Sequence, residues 1–284
     1  MIRRLAALAA LALVPALASG QAPADTLKKI RDTKTVTIAY RTDALPFSYE
    51  EGKQPAGYTV ELCKRVVASL EQQLKIQPLA VKWVPATTQN RLELVKKGQA
   101  DMECGATTAT LSRMELVDFS SAVFVDTTGL LAKKAAGAKT LSGLQGKKIA
   151  VIDGTSNQRT LDKALKASVV NATVVTVKTR EEGVAALEAG TVDAFAGDRV
   201  LLLGLGTKLK EPSQYDLLDE DLGLEPYAIA LPRGDAGFRL AVNRALAQLY
   251  SSSAIVEVFR RGFGPNAKPT PALLLVYGLG AYSE

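Results

Sequence analysis

The sequence predicts an α/β protein of two lobes that face each other across a cleft, each lobe being a mixed sheet flanked by helices. Its 284 residues are enough for two domains of ordinary size. Residues 98–102 (GQADM) are echoed by residues 190–194 (GTVDA), and each copy follows a helix-like run and opens a short strand. Polar residues follow both strands. Because ligands of open α/β sheets bind at the carboxyl ends of strands, this repeat predicts a cleft lined from both sides.

The first half of the chain alternates helices and strands. Val60, Val67 and Leu74 fall at heptad spacing and so share one face of a helix that begins near Thr59. Residues 124–132 (FVDTTGLLA) form a predicted strand that is long enough to cross between the lobes. The elements expected before it are a helix at 25–31, strands at 36–40 and 79–84, a loop with two aromatic residues at 45–49, and the helix at 59–74.

Residues 87–120 carry the densest group of polar signals. Thr87 or Thr88 can cap a helix, because a hydroxyl satisfies one of the free N–H groups there. Gly98 can end that helix in a left-handed conformation. A short buried strand is expected next, at residues 100–105.

A second helix is expected to begin near Arg113, because Ser112 and Glu115 have the spacing of a capping box. A strand end, a helix N-terminus and two arginines, Arg91 and Arg113, therefore converge. The loop between strand and helix consists of small residues, Ala106, Thr107 and Thr108. Free N–H groups and guanidinium groups attract negative charge, so this region is a predicted site for a small anion.

The second half of the chain repeats this arrangement. A strand at residues 148–152 is followed by Thr155 and Ser156, which lie at the N-terminus of a helix that is expected to end near Ala167. A later strand ends near Asp198. The remaining expected elements are strands at 174–177, 192–196 and 227–231, helices at 181–189 and 237–261, and a tail at 265–284. Both connections between the lobes read as strands, which favours a hinge.

The N-terminus has the features of a secretory signal peptide. Arg3 and Arg4 precede an apolar run at residues 6–17 that is too short to span a bilayer. Small residues allow cleavage after Ala18 or Gly20, so residues 1–20 are expected to be removed. No later stretch reads as long and apolar enough for a transmembrane helix. The mature protein is therefore expected to be exported and soluble.

Composition excludes several function classes. The chain has no histidine, which removes Ser-His-Asp and Cys-His catalysis and the usual zinc sites. Its formal charge of +6 falls by two, to +4, once the two N-terminal arginines are removed. No run of Lys and Arg is interleaved with aromatic residues, so nucleic-acid binding has little support. No cofactor is expected.

Cys63 and Cys104 are the only two cysteines. In an oxidising compartment a pair of cysteines usually forms a disulfide. Two buried free thiols remain the alternative, because the sequence does not supply the Cα separation.

Several segments resemble the periplasmic solute-binding proteins of ABC transporters for polar amino acids. They are TLKKIRDTKTVTIAYR, PFSY, GYTVELCKRV, PATTQNRLELVKKGQADMECGATTAT and IDGTSNQRTL. The similarity is greatest to the glutamate/aspartate-binding branch and covers roughly residues 26–261. It implies a periplasmic-binding-protein-like fold of type II with a two-strand hinge. The first lobe would comprise residues 25–128 and 229–284, the second residues 129–228, in a monomer.

The resemblance also implies roles for individual residues. Arg113 and Thr108 would bind the α-carboxylate of an amino acid, with Thr155 and Ser156 helping from the other lobe, and Asp198 would take the α-ammonium group. The residues expected near the ligand side-chain carboxylate are Arg41, Thr88 and Arg91.

Two positions depart from the family pattern. Ala106 stands where the family usually has Ser, which removes a hydroxyl, and Arg180 stands where the branch often has His. Ala106 and Thr107 are still expected within the ligand-contacting loop. Arg180 would add a cation to the site, although it could instead pair with Glu181 or Glu182.

The expected function is the capture of glutamate or aspartate for a membrane permease, with no chemistry performed. Each charge of a zwitterion buried in a closed cleft needs an oppositely charged or hydrogen-bonding partner, because burial of an unpaired charge has a large free-energy cost. Arginine provides a planar, two-pronged contact for carboxylates. Two alternatives remain open. One is a dehydratase-like enzyme that uses Glu103 or Asp198 as acid or base, and the other is a sensory module for another polar amino acid.

Overall fold

The computed structural model describes residues 25–283, and the predicted signal segment at residues 1–20 lies outside them. The helices are α1 (Thr26–Thr33), α2 (Tyr58–Leu74), α3 (Arg91–Lys96), α4 (Leu111–Met114), α5 (Ser156–Ala167), α6 (Arg180–Glu188), α7 (Arg199–Gly206), α8 (Ala236–Tyr250), α9 (Ala254–Phe263) and α10 (Pro271–Gly280). The strands are β1 (Thr35–Arg41), β2 (Asp43–Ala44), β3 (Ser48–Glu51), β4 (Gln54–Ala56), β5 (Ala80–Ala86), β6 (Met102–Glu103), β7 (Asp118–Lys133), β8 (Lys148–Ile152), β9 (Thr173–Val177), β10 (Ala194–Asp198), β11 (Tyr215–Leu217) and β12 (Leu224–Leu231). No helix among the described residues has the length and apolar character needed to cross a membrane.

Two half-sheets meet along β7 and β12. The strand order is β5-β1-β6-β12-β7-β10-β8-β9, with β11 also paired to β7. In the first lobe β1 lies parallel to both β5 and β6. In the second lobe β8 lies parallel to both β10 and β9. The sheet is therefore mixed in each lobe, as the sequence predicts, and helices cover its faces.

The long strand β7 connects the two lobes. Its first part pairs antiparallel with β12, from Asp118 opposite Leu231 to Thr127 opposite Leu224. Its second part pairs antiparallel with β10 in the second lobe. The predicted crossing strand at 124–132 lies inside β7, which is 16 residues long. The two-stranded β7–β12 ribbon is thus shared between the lobes.

Each lobe has its own apolar core. The large core of the first lobe includes Ile38, Phe47, Leu62 and Phe238. The second lobe has one apolar cluster on each face of its half-sheet, and Phe195 belongs to the cluster under α6 and α7. Burial of such side chains contributes roughly 1.5–3 kcal/mol each to folding. The cores are largely distinct, and Leu201 of α7 is a second-lobe residue that packs into the large core of the first lobe.

Gly183 lets α6 approach β10 closely. A Cβ atom at this position would lie 2.5 Å from Cζ of Phe195, a buried ring that has little room to move. We expect Gly183→Ala to lower the free energy of unfolding by about 1–3 kcal/mol through overpacking. Urea unfolding measures this. Gly206→Ala is the matched helical control, because nothing lies within 4 Å of its Cβ position; equal losses in both variants would contradict the prediction.

The C-terminal region differs from the sequence prediction. The single helix expected at 237–261 is two helices, α8 and α9, separated at residues 251–253. Ser251 and Ser252 donate their hydroxyls to the carbonyls of Ala247 and Leu249, a competition with the helix backbone that favours a break. The expected tail contains α10, whose first turn is capped by Thr270 accepting from the amide of Leu273.

The helix caps around residues 87–120 also differ from the prediction. Asn90, not Thr87 or Thr88, occupies the N-cap of α3, and Thr87 instead exchanges hydrogen bonds with Asn90. Thr110, not Ser112, caps α4 by accepting from the amide of Arg113. Residues 100–105 are buried, but only Met102 and Glu103 are strand. The prediction found a helix in each segment but not the residue at its N-cap, although the Thr87 hydroxyl does accept from a backbone N–H, that of Asn90.

Cys63 and Cys104 form a disulfide with their Cα atoms 6.4 Å apart. The bond joins the buried face of α2 to the residue that follows β6. The two cysteines are 41 positions apart in the sequence, and the bond fastens the helix to the strand that leads into the polar loop.

Candidate ligand-binding crevice

A crevice lies between the lobes, at the carboxyl ends of β1 and β6 on one side and of β8 and β10 on the other. The space between its lining atoms is about 470 Å³. Ten of the eleven residues predicted for the site line it: Arg41, Thr88, Arg91, Ala106, Thr108, Arg113, Thr155, Ser156, Arg180 and Asp198. The strand-end geometry inferred from the repeat therefore brings residues from both halves of the chain together. The part that each plays toward a ligand stays a prediction.

The eleventh residue, Thr107, lies behind the crevice wall. Its hydroxyl accepts from Nε of Arg91 at 2.9 Å. Arg91 also donates Nη1 to the carbonyl of Thr88. These two bonds fix the buried Arg91 side chain at the start of α3. Thr107 therefore holds the Arg91 side chain in place without lining the crevice itself.

Arg113 is held in a similar way at α4. Its Nη1 donates to the carbonyl of Thr108 at 2.7 Å, and the side chain is buried. Burial, followed by the charge of Arg159, lowers the pKa of Arg113 from its usual value. Burial and the neighbouring charge of Arg113 likewise lower the pKa of Arg91, to about 10. Both guanidinium groups remain charged at neutral pH, so an anion in the crevice would relieve their mutual repulsion.

Arg180 does not pair with Glu181 or Glu182, the alternative that the sequence left open. Its Nη1 donates to Oδ2 of Asp43 at 2.7 Å across the crevice. Asp43 also receives Nη2 of Arg41 on both oxygens, at 2.6 and 2.8 Å. Burial by itself raises the pKa of Asp43, but the two guanidinium groups outweigh it and hold that pKa below the usual value. Asp43 therefore links the two lobes.

Glu103 is fully buried beside the arginine cluster. Burial raises its pKa, although the charge of Arg91 and a hydrogen bond from Thr107 oppose this. Gly105 is required next to it, because a Cβ there would collide with the Glu103 carboxylate. Glu103 has no exposed surface and does not line the crevice. That position does not suit an acid or base that must reach a substrate.

The lobes touch each other across the crevice. Ser156 Oγ lies 3.2 Å from Thr108 Oγ1, and Gln89 donates to the carbonyl of Lys178 at 2.7 Å. The described arrangement is therefore a closed one. Thr155 caps α5, accepting from the amide of Gln158, so that helix begins at the crevice.

A group of carboxylates lies where the crevice meets the β7–β12 ribbon. Asp198 occupies the N-cap position of α7 but makes no side-chain capping bond, and Asn157 donates to it at 3.3 Å. Glu225 accepts from Thr108 at 2.6 Å and from Thr128 at 2.7 Å. The Asp198 carboxylate is therefore not used to cap α7. It lines the crevice and can accept a hydrogen bond from a cationic group there.

Asp126 completes the carboxylate group from β7. It lies opposite Glu225 in the ribbon and accepts from the Tyr227 hydroxyl and the Val200 amide, both at 3.1 Å. Burial, together with the charge of Asp198, raises the pKa of Asp126 to about 7. Burial and Asp198 also raise the pKa of Glu225.

Sequence reasoning missed Asp43, Asp126, Asn157 and Glu225. One signal was available, since Glu225 is an acidic residue beside a predicted strand that is apolar, YAIAL. It also missed the apolar wall of the crevice, formed by Ile152, Phe195, Leu201, Leu202 and Leu205. Three of these belong to α7, a helix that was not predicted.

Two curated relatives are similar over most of the chain. The L-glutamate/L-aspartate-binding protein of Pseudomonas aeruginosa is 35% identical over 260 residues, which is 89% of this chain and 85% of that protein. The glutamate/aspartate import solute-binding protein of Escherichia coli is 31% identical over 260 residues, covering 88% and 86%. Both are named as binding proteins rather than as enzymes.

Solved structures share the fold. The solute receptor for L-cysteine of Neisseria gonorrhoeae superposes with a TM-score of 0.73 at 23% identity, over 86% of this chain and 97% of that one. Such similarity establishes the two-lobe type II architecture expected from the sequence. The family model of the bacterial extracellular solute-binding proteins, family 3, matches residues 36–265. Together with the two relatives, this match confirms the resemblance read from the motifs: the chain belongs to the bacterial extracellular solute-binding proteins, family 3.

Proposed function

We propose that this protein captures glutamate or aspartate in the periplasm by closure of its two lobes and delivers it to the permease of an ABC transporter. The observation that carries this proposal is the charge of the crevice. Four buried arginines line it, namely Arg41, Arg91, Arg113 and Arg180, together with the carboxylate of Asp198. An acidic amino acid carries two carboxylates and one ammonium, and so matches this pattern. The names of the two relatives support the same ligand class.

The proposed orientation follows the positions of the charges. Arg113 binds the α-carboxylate, with help from Thr108, Thr155 and Ser156, and Asp198 accepts from the α-ammonium group. The side-chain carboxylate points toward Arg41, Thr88 and Arg91. The free guanidinium donors of Arg91 and Arg113 support this assignment, because bidentate arginine–carboxylate contacts are strong in a site with little water.

The proposal includes the division of the chain. Residues 1–20 are a signal peptide that is removed on export, and the mature protein acts as a monomer. Residues 25–128 and 229–284 form one rigid lobe and residues 129–228 the other. The β7–β12 ribbon bends between them. The largely distinct apolar cores support rigid-body movement of this kind.

Isothermal titration calorimetry against a panel of amino acids tests the ligand class. The protein is first unfolded and refolded to remove any co-purified ligand. We expect glutamate or aspartate to bind more tightly than glutamine, asparagine, arginine and leucine. Binding of neutral or cationic amino acids with no binding of either acid would overturn the assignment.

A further inference from the structure

Asp43 binds two of the arginines that the side-chain carboxylate of an acidic ligand would use. Its carboxylate receives three hydrogen bonds, two from Arg41 and one from Arg180, and both arginines line the crevice. A ligand carboxylate would make the same kind of contact with the same groups. We propose that Asp43 is a specificity-determining residue, because it competes with the ligand side chain for Arg41 and Arg180. This inference rests on the proposed function.

The β2–β3 hairpin holds Asp43 against Arg41 whether or not the lobes are closed. Asp43 pairs with Tyr49 and Ala44 with Ser48 in this hairpin. Ser48 accepts from the amide of Arg41 at 2.9 Å and donates to the carbonyl of Arg41 at 3.2 Å. Asp43 and Arg41 are therefore fixed within one lobe. Arg180 reaches the pair from the N-terminus of α6, on the other lobe, when the crevice closes.

The competition reduces the positive charge that a ligand side chain meets. Arg41 has 2% of its side chain exposed and uses Nη2 on both oxygens of Asp43. Its Nε is buried, so little of this guanidinium is left for a ligand. One of the four arginine charges is thus balanced inside the protein. A neutral amide side chain loses little from this, whereas a carboxylate side chain loses part of its attraction. Asp43 therefore narrows the difference in affinity between acidic amino acids and their amides.

Removal of the Asp43 charge distinguishes competition with the ligand from a second role, in which Asp43 only fastens the two lobes together. Fastening acts on closure and would change the affinity of every ligand by the same factor. Competition acts on side-chain charge and would change the acid-to-amide ratio. For Asp43→Asn we expect the ratio of the glutamine Kd to the glutamate Kd to rise at least about tenfold over that of the unaltered protein.

Calorimetry with glutamate and glutamine on the full mature chain measures the ratio. Glu51→Gln is the matched control, since Glu51 is an exposed carboxylate on the same small sheet and its ratio should not change. Asp43→Ser serves as a second charge-removing variant, and circular dichroism melting shows which variants are folded. An unchanged ratio, with both dissociation constants shifted equally, would overturn the proposal and leave Asp43 as a lobe-to-lobe contact only.

The unaltered protein distinguishes failure of this inference from failure of the proposed function. If it prefers glutamine to glutamate, the acidic ligand class is wrong, yet a rise of the ratio in Asp43→Asn still supports competition by Asp43. If it binds neither of them and does not bind aspartate, both proposals fall together; if it binds aspartate alone, the same ratio is measured with aspartate and asparagine. If it prefers glutamate and the ratio does not move, only the role of Asp43 is refuted.

Discussion

Replacement of Arg113 with alanine will weaken the binding of an acidic amino acid at least about a hundredfold, which corresponds to about 2.7 kcal/mol. Arg113 is buried and its guanidinium is anchored to the carbonyl of Thr108. Without it, the ligand α-carboxylate would be enclosed in the crevice with no arginine on that side. The free-energy cost of taking a carboxylate out of water is then not offset by any partner.

Calorimetry with glutamate measures the effect. Arg65→Ala is a suitable control, because Arg65 lies on the outer side of α2 in a loose surface pair with Glu257, 3.9 Å apart. Arg113→Lys should give an intermediate loss, since an ammonium keeps the charge but not the planar fork. Near-normal affinity in Arg113→Ala, with Arg65→Ala also normal, would remove Arg113 from the binding site.

Much of the fold could be predicted because its signals are local. The strand predicted at 148–152 coincides with β8, and the helix predicted at 59–74 begins one residue late. These elements have strong apolar periodicity and clear glycine or hydroxyl boundaries. The break between α8 and α9 and the helix α10 were missed, because a short serine run and a Thr-Pro start are weak signals inside a long apolar pattern.

The crevice was predictable to the extent that it lies at strand ends. Residues such as Arg41 and Asp198 are the last residues of their strands, so their position required only the parallel arrangement of the sheet. Asp43 was not predictable in this way. It belongs to a two-residue strand without periodicity, and its partner Arg180 is 137 residues away in the sequence. Such a pairing depends on how the lobes meet, which no local pattern reports.

Asp126 gives the protein an expected dependence of stability on pH. Burial and the charge of Asp198 raise its pKa from 3.8 to about 7 in the folded state. Between these two values the folded state binds more protons than the unfolded state, so the free energy of unfolding falls as the pH rises through this window. The shift corresponds to a loss of the order of a few kcal/mol between about pH 4 and pH 7.

Urea unfolding at several pH values measures this loss in the unaltered protein and in Asp126→Asn. Burial raises the pKa of Glu103 and Glu225 as well, so part of the dependence will remain in the variant. The difference in free energy of unfolding between the two proteins isolates the contribution of Asp126. We expect the variant to become more stable relative to the unaltered protein as the pH rises. Asp216→Asn, at an exposed carboxylate, should leave the curve unchanged. A constant difference between the unaltered protein and Asp126→Asn would contradict the assignment.

We expect the same carboxylate to couple ligand binding to proton release. An ammonium group beside Asp198 would offset the charge that holds a proton on Asp126, and would therefore lower the pKa of Asp126. Binding near pH 6.5 should then release up to about one proton, and affinity for glutamate should fall as the pH drops from 8 to 5. Calorimetry in two buffers of different ionisation enthalpy counts the protons. Asp126→Asn should abolish most of the release; an equal release in both proteins would instead place the titrating group elsewhere, with Glu225 the next carboxylate in contact with the site.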